Sequence, residues 1–343
     1  MGTTTTITWT DHTWNPWIGC THSYIGCKFC YAEAHANRFG AAKWGANGTR
    51  VITSPANWKL PLKWNKQAEK AGVRAKVFCA SLADAFEDWG GKLHNSSGEV
   101  LIQSYLGEVR DSFDETCNGP WEKYPDKQAY KLLTLDDIRE DLFKLIDATP
   151  WLDWQLLTKR PENIRRMWPN NNTPMGPCEY RAALAGESNV NHRHNVWLLT
   201  SVSDQQTADK MIPELLKCRN LVPVLGVSYE PALGPVDFGP MLGRNRFDDP
   251  EDGLDWVIVG GESGPKARPC NIRWISTAIE QCQAAGVACF VKQMGADFRL
   301  QDGRSYHFDD RKGGDWNQWH HQLKVRQFPL ITTIADSESG VGA

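Results

Sequence analysis

The chain has 343 residues, 41% of them hydrophobic, and a formal net charge of -3. That balance lacks the basic excess of a general nucleic-acid binder, no apolar run is long enough to cross a bilayer, and the start MGTTTTITWT has neither the basic nor the apolar region of a signal peptide. A cytoplasmic protein with no membrane partner is expected, with enough apolar mass for one large domain or two.

Residues 1–13 are Thr-rich and polar and read as a lead-in, with a first strand from Trp14 to Gly19 running into a loop that carries Cys20, Cys27 and Cys30. Tyr31 to Phe39 has good helix formers and ends at Gly40, a C-cap residue. Lys76 to Ala80 reads as a short buried strand. Residues 90–131 are polar, rich in Gly, Ser and Asp, and read as an insertion forming a lid or partner surface, with a short helix from Glu99 to Val109. Leu135, Ile138, Leu142 and Leu145 recur at helical spacing, which predicts an amphipathic helix over Leu135 to Asp147. A strand from Trp154 to Leu157 follows, then the polar tip TKRPENI and a loop over residues 168–195. VWLLT leads to SVSDQQ and a helix from Gln206 to Cys218. LVPVLGV leads to SYEP, WVIVGGES precedes a helix from Ile272 to Ala285, and CFVKQMG is the last strand.

These units repeat one pattern: a buried apolar strand, a polar tip, then a helix or loop. Such alternation argues for parallel βα units. The expected fold is α/β: a partial or complete parallel (β/α) barrel of about six to seven strands with loop insertions over residues 1–300, followed by a C-terminal extension over 301–343. In such barrels the active site forms at the C-terminal ends of the strands. No G-x-G-x-x-G opens a helix, so nicotinamide chemistry has no support.

Cys20 and Cys27 are separated by six residues, Cys27 and Cys30 by two, and Phe29 directly precedes Cys30. Three thiolates on one short loop can hold three irons of a [4Fe-4S] cluster and leave the fourth iron open to a substrate or cofactor. The alternative is a Cys3His zinc site completed by His12, His22 or His35. Cys79, Cys218, Cys282 and Cys289 read as buried small hydrophobes in a reducing compartment. The sixteen tryptophans read mostly as core, with some available to stack on bases.

The strand tips carry the remaining polar candidates. Ser81 and Asp84 follow the second strand. Thr158, Lys159 and Arg160 form a cationic tip suited to a carboxylate or phosphate, or alternatively to a solvated ion pair with Glu162. Ser201, Ser203, Ser228 and Glu230 suit ribose hydroxyls, although a serine after a strand is also an ordinary helix cap. Glu262 can touch ribose or substrate. Lys292 and Gln293 face the interior mouth, where a lysine needs an anionic partner or a shifted pKa. Arg268 and the run Asp310 to Asp315 can meet phosphate, with Lys312 and Asp315 reading as solvated. His192 and His194 read as surface residues.

Three clustered cysteines ending in Cys-x-aromatic-Cys, between an apolar segment and a helical one, resemble the radical S-adenosylmethionine (SAM) superfamily. The usual spacing there has three residues between the first two cysteines, and the superfamily's Gly-Gly-Glu is not found after the second strand; Gly260, Gly261 and Glu262 follow a late strand instead. The resemblance implies a [4Fe-4S] cluster on Cys20, Cys27 and Cys30, SAM chelated to the open iron, an electron donor, and a 5'-deoxyadenosyl radical that abstracts hydrogen. Phe29, Ser81, Asp84, Thr158, Lys159, Ser201, Ser203 and Glu230 are then the candidate cofactor-binding residues, and Glu262 and Lys292 the candidates for catalysis.

More narrowly, WTDHTWNPWIGC, GCKFCYAE, VIVGGESGPKARP, FVKQMG and DRKGGDW together resemble a phage-borne and bacterial group of radical-SAM-like proteins over most of the chain. Some relatives belong to phage pathways that hypermodify thymidine. The resemblance implies an isomerase that converts N-linked to C-linked glycyl-thymidine in DNA, shielding viral DNA from host restriction and acting in the host cytoplasm if phage-encoded. A base in duplex DNA would have to flip out to reach such a site. The other readings are a radical SAM enzyme acting on damaged DNA, a tRNA base or a peptide, and a noncatalytic iron-sulfur or zinc protein that binds nucleic acid.

Overall fold

Seven apolar runs form one sheet in the computed structural model of the chain, which describes residues 5–105, 122–123, 129–169, 192–243 and 253–330. The strands are β1 (His12–Trp14), β2 (Ala75–Cys79), β3 (Leu152–Thr158), β4 (Val196–Val202), β5 (Val224–Tyr229), β6 (Trp256–Gly260) and β7 (Ala288–Gln293). They pair in chain order and all in parallel, so every connection crosses back over the sheet. The sheet curls into a half-barrel, and among the described residues no pairing joins β7 to β1.

The two-residue period of the strands sorts their side chains onto two faces. Val196, Leu198, Leu225, Val227, Val257, Val259 and Val291 face outward into the core shared with the helices. The longer helices are α1 (Tyr31–Phe39), α2 (Leu60–Ala71), α3 (Leu135–Asp147), α4 (Gln205–Leu216) and α5 (Ile272–Ala285), and α2 to α5 contribute to that core. Trp197, Leu199, Val224, Trp256, Ile258 and Phe290 face inward, where Trp9 packs against Phe78 at 4.6 Å and edge-on against Trp256 at 6.1 Å. The inner layer is therefore filled with aromatic rings near the strand starts, and the tryptophans there are core. Both faces being covered, β4 is buried along its whole length.

Local chemistry sets the helix ends. Thr134 with Asp137, and Asp204 with Thr207, form reciprocal caps at the starts of α3 and α4. Gly40 and Gly286 close α1 and α5 in left-handed conformations. Leu135, Ile138, Leu142, Leu145 and Ile146 form the buried stripe of α3. Cys79, Cys218, Cys270, Cys282 and Cys289 are buried free thiols. No helix among the described residues is long and apolar enough to cross a membrane.

Three expectations are corrected. The first barrel strand is His12–Trp14, which begins in the expected lead-in and ends where the expected strand Trp14 to Gly19 starts. Pro16 has no amide to donate and ends it. Trp17–Ile18 instead pairs antiparallel with Arg50–Ile52, which runs parallel to Leu93–His94 in a separate small sheet. Within the expected helix Glu99 to Val109, residues 102–105 are a strand paired antiparallel with Ala129–Leu132; long-range pairing overrides local preference there, and residues 106–109 lie outside the described residues. The helix expected to reach Cys218 stops at Leu216. Most of the remaining insertion, residues 106–121 and 124–128, and residues 170–191 of the loop 168–195 also lie outside the described residues.

The C-terminal segment covers the free edge of β7. Val291 N donates to Val325 O and Gln327 N to Cys289 O, both at 2.8 Å, which pairs an edge strand that would otherwise be open. Upstream, Met294 N donates to Gly313 O and Gly295 N to Lys312 O, both at 2.9 Å. Gly313 sits at φ 58°, and a Cβ there would lie 2.8 Å from Phe308 Cδ2 and 3.0 Å from Met294 Cβ. Gly313→Ala is therefore expected to cost about 1–3 kcal/mol, from backbone strain and crowding together. A urea midpoint equal to wild type would contradict this docking.

Candidate functional site

The period that fills the inner layer also selects which tip residues face the concave side. Continuing inward from Leu157, Leu199, Val224 and Phe290, the positions two or more residues on are Lys159, Ser201, Ser228 with Glu230, and Lys292. All lie at C-terminal strand ends, around one mouth.

The cysteine loop lies across that mouth and is tied to four strand tips. Gly19 N donates to Leu82 O after β2 at 3.0 Å. Arg160, after β3, donates to Thr21 O at 2.7 Å and to Cys20 Sγ at 3.6 Å. The Tyr24 hydroxyl is hydrogen-bonded to Ser201 Oγ in β4 at 2.8 Å, and Arg268, after β6, donates to Ile25 O at 3.0 Å. Only glycine fits the loop's first corner: Gly19 has φ 117°, and a Cβ would lie 2.3 Å from Thr49 O. Cys30 is the N-cap residue of α1.

Beneath the loop is a layer of ion pairs. Asp84 is almost fully buried: its Oδ1 accepts from Thr158 Oγ1 at 2.7 Å, and its Oδ2 from Lys159 N at 3.0 Å and Arg160 Nη1 at 2.9 Å. Asp84 and Thr158 thus shape the tip of β3. Arg160 pairs with Asp84, and with Glu87 at 3.6 Å, rather than with the neighbouring Glu162. Deeper still, Arg50 grips Glu87 bidentately at 2.7 and 2.8 Å, both residues being buried, and also donates to Thr21 Oγ1 at 2.8 Å. Burial pushes the Cys20 thiol up to about 12, helped by Asp84 and Glu87 and opposed by Arg160.

Lys159 stands apart from this network. Its ammonium has no hydrogen bond or ion pair among the described residues. Burial, the largest single influence, disfavours its charge, yet the anionic forms of Tyr24, Cys27 and Cys30 together with Asp84 outweigh burial and raise its pKa above the ordinary lysine value. Tyr31 keeps 57% of its surface open, while desolvation of its hydroxyl end pushes that group up. That hydroxyl donates to Ser81 O at 2.7 Å, and Ser81 Oγ accepts from Asn15 Nδ2 at 3.0 Å. Tyr24 is also raised by burial.

The two catalytic candidates are both in ion pairs. Lys292 Nζ lies 3.0 Å from Glu230 Oε1, the anionic partner such a lysine needs, and Glu230 Oε2 accepts from Ser228 at 3.1 Å. Gly260 leaves room for that carboxylate, since a Cβ there would lie 2.9 Å from Glu230 Oε1. Glu262 is gripped by Arg268 at 2.6 and 2.9 Å, and Arg268 sits over the Phe29 ring at 5.3 Å. Glu262, Arg268 and Phe29 therefore form a clamp on the cysteine loop. Ser203 is fully buried where the chain enters α4. Sequence reasoning passed over Tyr24, Tyr31 and the Arg50–Glu87 pair; the adjacency of both tyrosines to the cysteines was the available signal.

The histidines that a zinc site would recruit are engaged elsewhere. His22 meets Glu33 at 2.8 Å, His12 stacks on Trp64 at 4.2 Å and His35 packs on Phe39 at 4.7 Å. Among the described residues no group of three His, Cys, Asp or Glu side chains is gathered to hold a single metal ion. A [4Fe-4S] cube makes no such demand, because each thiolate meets a different iron. Three thiols on one loop with Lys159 and Arg160 beside them fit an anionic, sulfur-bound cluster in donor type and charge.

The sequence profile of a family described as "Protein of unknown function (DUF5131)" matches residues 4–92 and 131–322, more than half of the chain. No curated protein and no solved structure matches it.

Proposed function

The chain belongs to the DUF5131 family, and from its site we propose that it is a radical SAM enzyme. The observation that carries this reading is the loop of Cys20, Cys27 and Cys30, laid across the C-terminal mouth of a parallel half-barrel with an unpaired lysine beside two of its thiols. When bound, a [4Fe-4S] cluster on these thiolates with SAM at its open iron supplies a 5'-deoxyadenosyl radical on one-electron reduction.

The chain's own residues bind, orient and exclude water. Arg160 offsets thiolate charge at Cys20. Lys159 offers its unpaired ammonium to the SAM carboxylate. Glu230, held by Lys292 and Ser228, accepts from ribose hydroxyls, and Tyr24 with Ser201 fixes the loop over them. Lys159→Met is expected to raise the KM for SAM by about 10- to 100-fold, the loss of one charge-assisted hydrogen bond, with a smaller change in kcat; an unchanged KM would remove Lys159 from that role.

On the family resemblance, we extend the proposal to the isomerisation of N-linked to C-linked glycyl-thymidine in DNA, with protection from restriction as the consequence and a cytoplasmic electron donor as partner. Two assays test it. Anaerobically reconstituted protein should release 5'-deoxyadenosine from SAM only with reductant. Mass spectrometry of nucleosides from glycyl-thymidine DNA should then show an isobaric product at a new chromatographic position; an unmoved peak rejects the isomerase and leaves the cleavage result to stand on its own.

A further inference from the structure

A cavity of about 660 Å³ lies beside the mouth and takes no part in the chemistry above. Its walls come from the loop after β6 at Gly264 and Pro265, the turn after β7 at Gly295 and Ala296, and the C-terminal run from Tyr306 to Lys312. A cavity of this size suits a small ligand or a short piece of a longer one.

Its chemistry is cationic and aromatic. The side chains of Arg311 and Lys312 are exposed and have no hydrogen bond or ion pair among the described residues. Asp310, the carboxylate beside them, is engaged by the backbone amides of Gly314 at 2.6 Å and Lys312 at 3.3 Å. The basic pair is not on a loose tail, because the Lys312 and Gly313 carbonyls are bonded to the end of β7. Phe308 is anchored against Phe298 at 5.4 Å and meets Tyr306 at 4.9 Å, with the Tyr306 ring 44% exposed. Cations for phosphates, next to an open ring for a base, are what a groove for a single nucleic-acid strand requires.

The cavity shares the β6 loop with the cysteine mouth. Ala296 N donates to Glu262 O at 2.8 Å, and the same β6 loop carries Arg268, which bonds the cysteine loop at Ile25 O. One loop thus forms a wall of the cavity and an anchor of the cysteine loop.

We propose that this cavity is a subsite for single-stranded nucleic acid, with Arg311 and Lys312 on the phosphodiesters and Tyr306 stacked on a base flanking the one presented at the mouth. It rests on the mouth acting on a nucleic-acid substrate, but its occupancy does not require the radical step. Fluorescence anisotropy of a fluorescein-labelled oligothymidylate tests it, on anaerobically purified full-length protein across a salt series. Wild type should bind saturably. Arg311→Ala/Lys312→Ala should flatten the slope of log affinity against log salt by about 1.4, two contacts at about 0.7 each. Tyr306→Ala should weaken binding on the order of 5-fold or more while leaving that slope unchanged.

The substituted residues are exposed, and circular dichroism on the same samples confirms folding. Absence of saturable binding by wild type, or equal salt slopes for wild type and the double variant, would overturn the subsite. Release of 5'-deoxyadenosine is measured in parallel on each preparation. Binding without cleavage upholds the subsite and removes the radical reading, whereas cleavage without binding removes the subsite alone.

Discussion

Cys27→Ala is expected to reduce iron from about four per chain to background and to abolish reductant-dependent 5'-deoxyadenosine release. Cys27 is 5% exposed, on a loop fixed by hydrogen bonds to the tips of β2, β3, β4 and β6. On the proposed assignment its removal deletes a ligand without deleting those anchors. Cys218→Ala is the control, because that thiol is buried among the helix-facing core residues, far along the chain from the loop; it should keep full iron content. Iron and sulfide analysis of the two variants side by side checks the assignment. A Cys27→Ala protein that retains iron and cleaves SAM would show that the ligands lie elsewhere.

Arg50→Met is expected to lower stability by about 3–5 kcal/mol, since it leaves the Glu87 carboxylate buried without its bidentate partner. Glu87 is 1% exposed, and beyond Arg50 it has the Thr21 amide at 2.8 Å and Arg160 at 3.6 Å. The Arg160 guanidinium is 3.6 Å away and also committed to Asp84 at 2.9 Å, so it does not replace the bidentate grip of Arg50 and the charge is only partly compensated. Glu87→Gln should cost less, because the amide keeps the shape and one acceptor while Arg50 retains the carbonyls of Gly45 and Thr49. The three urea midpoints should therefore fall in the order wild type, then Glu87→Gln, then Arg50→Met. Midpoints that coincide would mean that the pair does not hold the mouth together. Because Thr21 bonds both members of the pair and adjoins Cys20, Arg50→Met should also lose iron faster under chelator.

The sequence was most readable where a single element decides its own conformation. α3 and α5 appear with the boundaries that the apolar period and caps predict, Leu135–Asp147 and Ile272–Ala285. The apolar runs marked β2 to β7 because parallel strands covered on both faces must be apolar throughout. β1 was misplaced because His12–Trp14 is three residues long and shows no period. Pairings that depend on residues distant in sequence were not readable. Glu162 is the near neighbour of Arg160, but Asp84, 76 positions away, is its partner. Arg50 and Glu87 are 37 positions apart and carry no local signal. For the candidate site, the positions of the cysteine loop and of Lys159 at a strand tip were legible from motif and strand pattern, whereas the ion pairs that commit Asp84, Glu262 and Lys292 to partners emerge only when the tips are brought around one mouth.

On the proposed reading, Cys20, Cys27 and Cys30 hold an iron-sulfur cube with one iron open to SAM. Electron paramagnetic resonance of the anaerobically reconstituted, dithionite-reduced protein, recorded with and without SAM, tests it most directly. A reduced [4Fe-4S] signal is expected at about four irons and four sulfides per chain, with g values that move when SAM is added. A protein that binds one zinc per chain and no iron, or a cluster signal that SAM leaves unchanged, would contradict it.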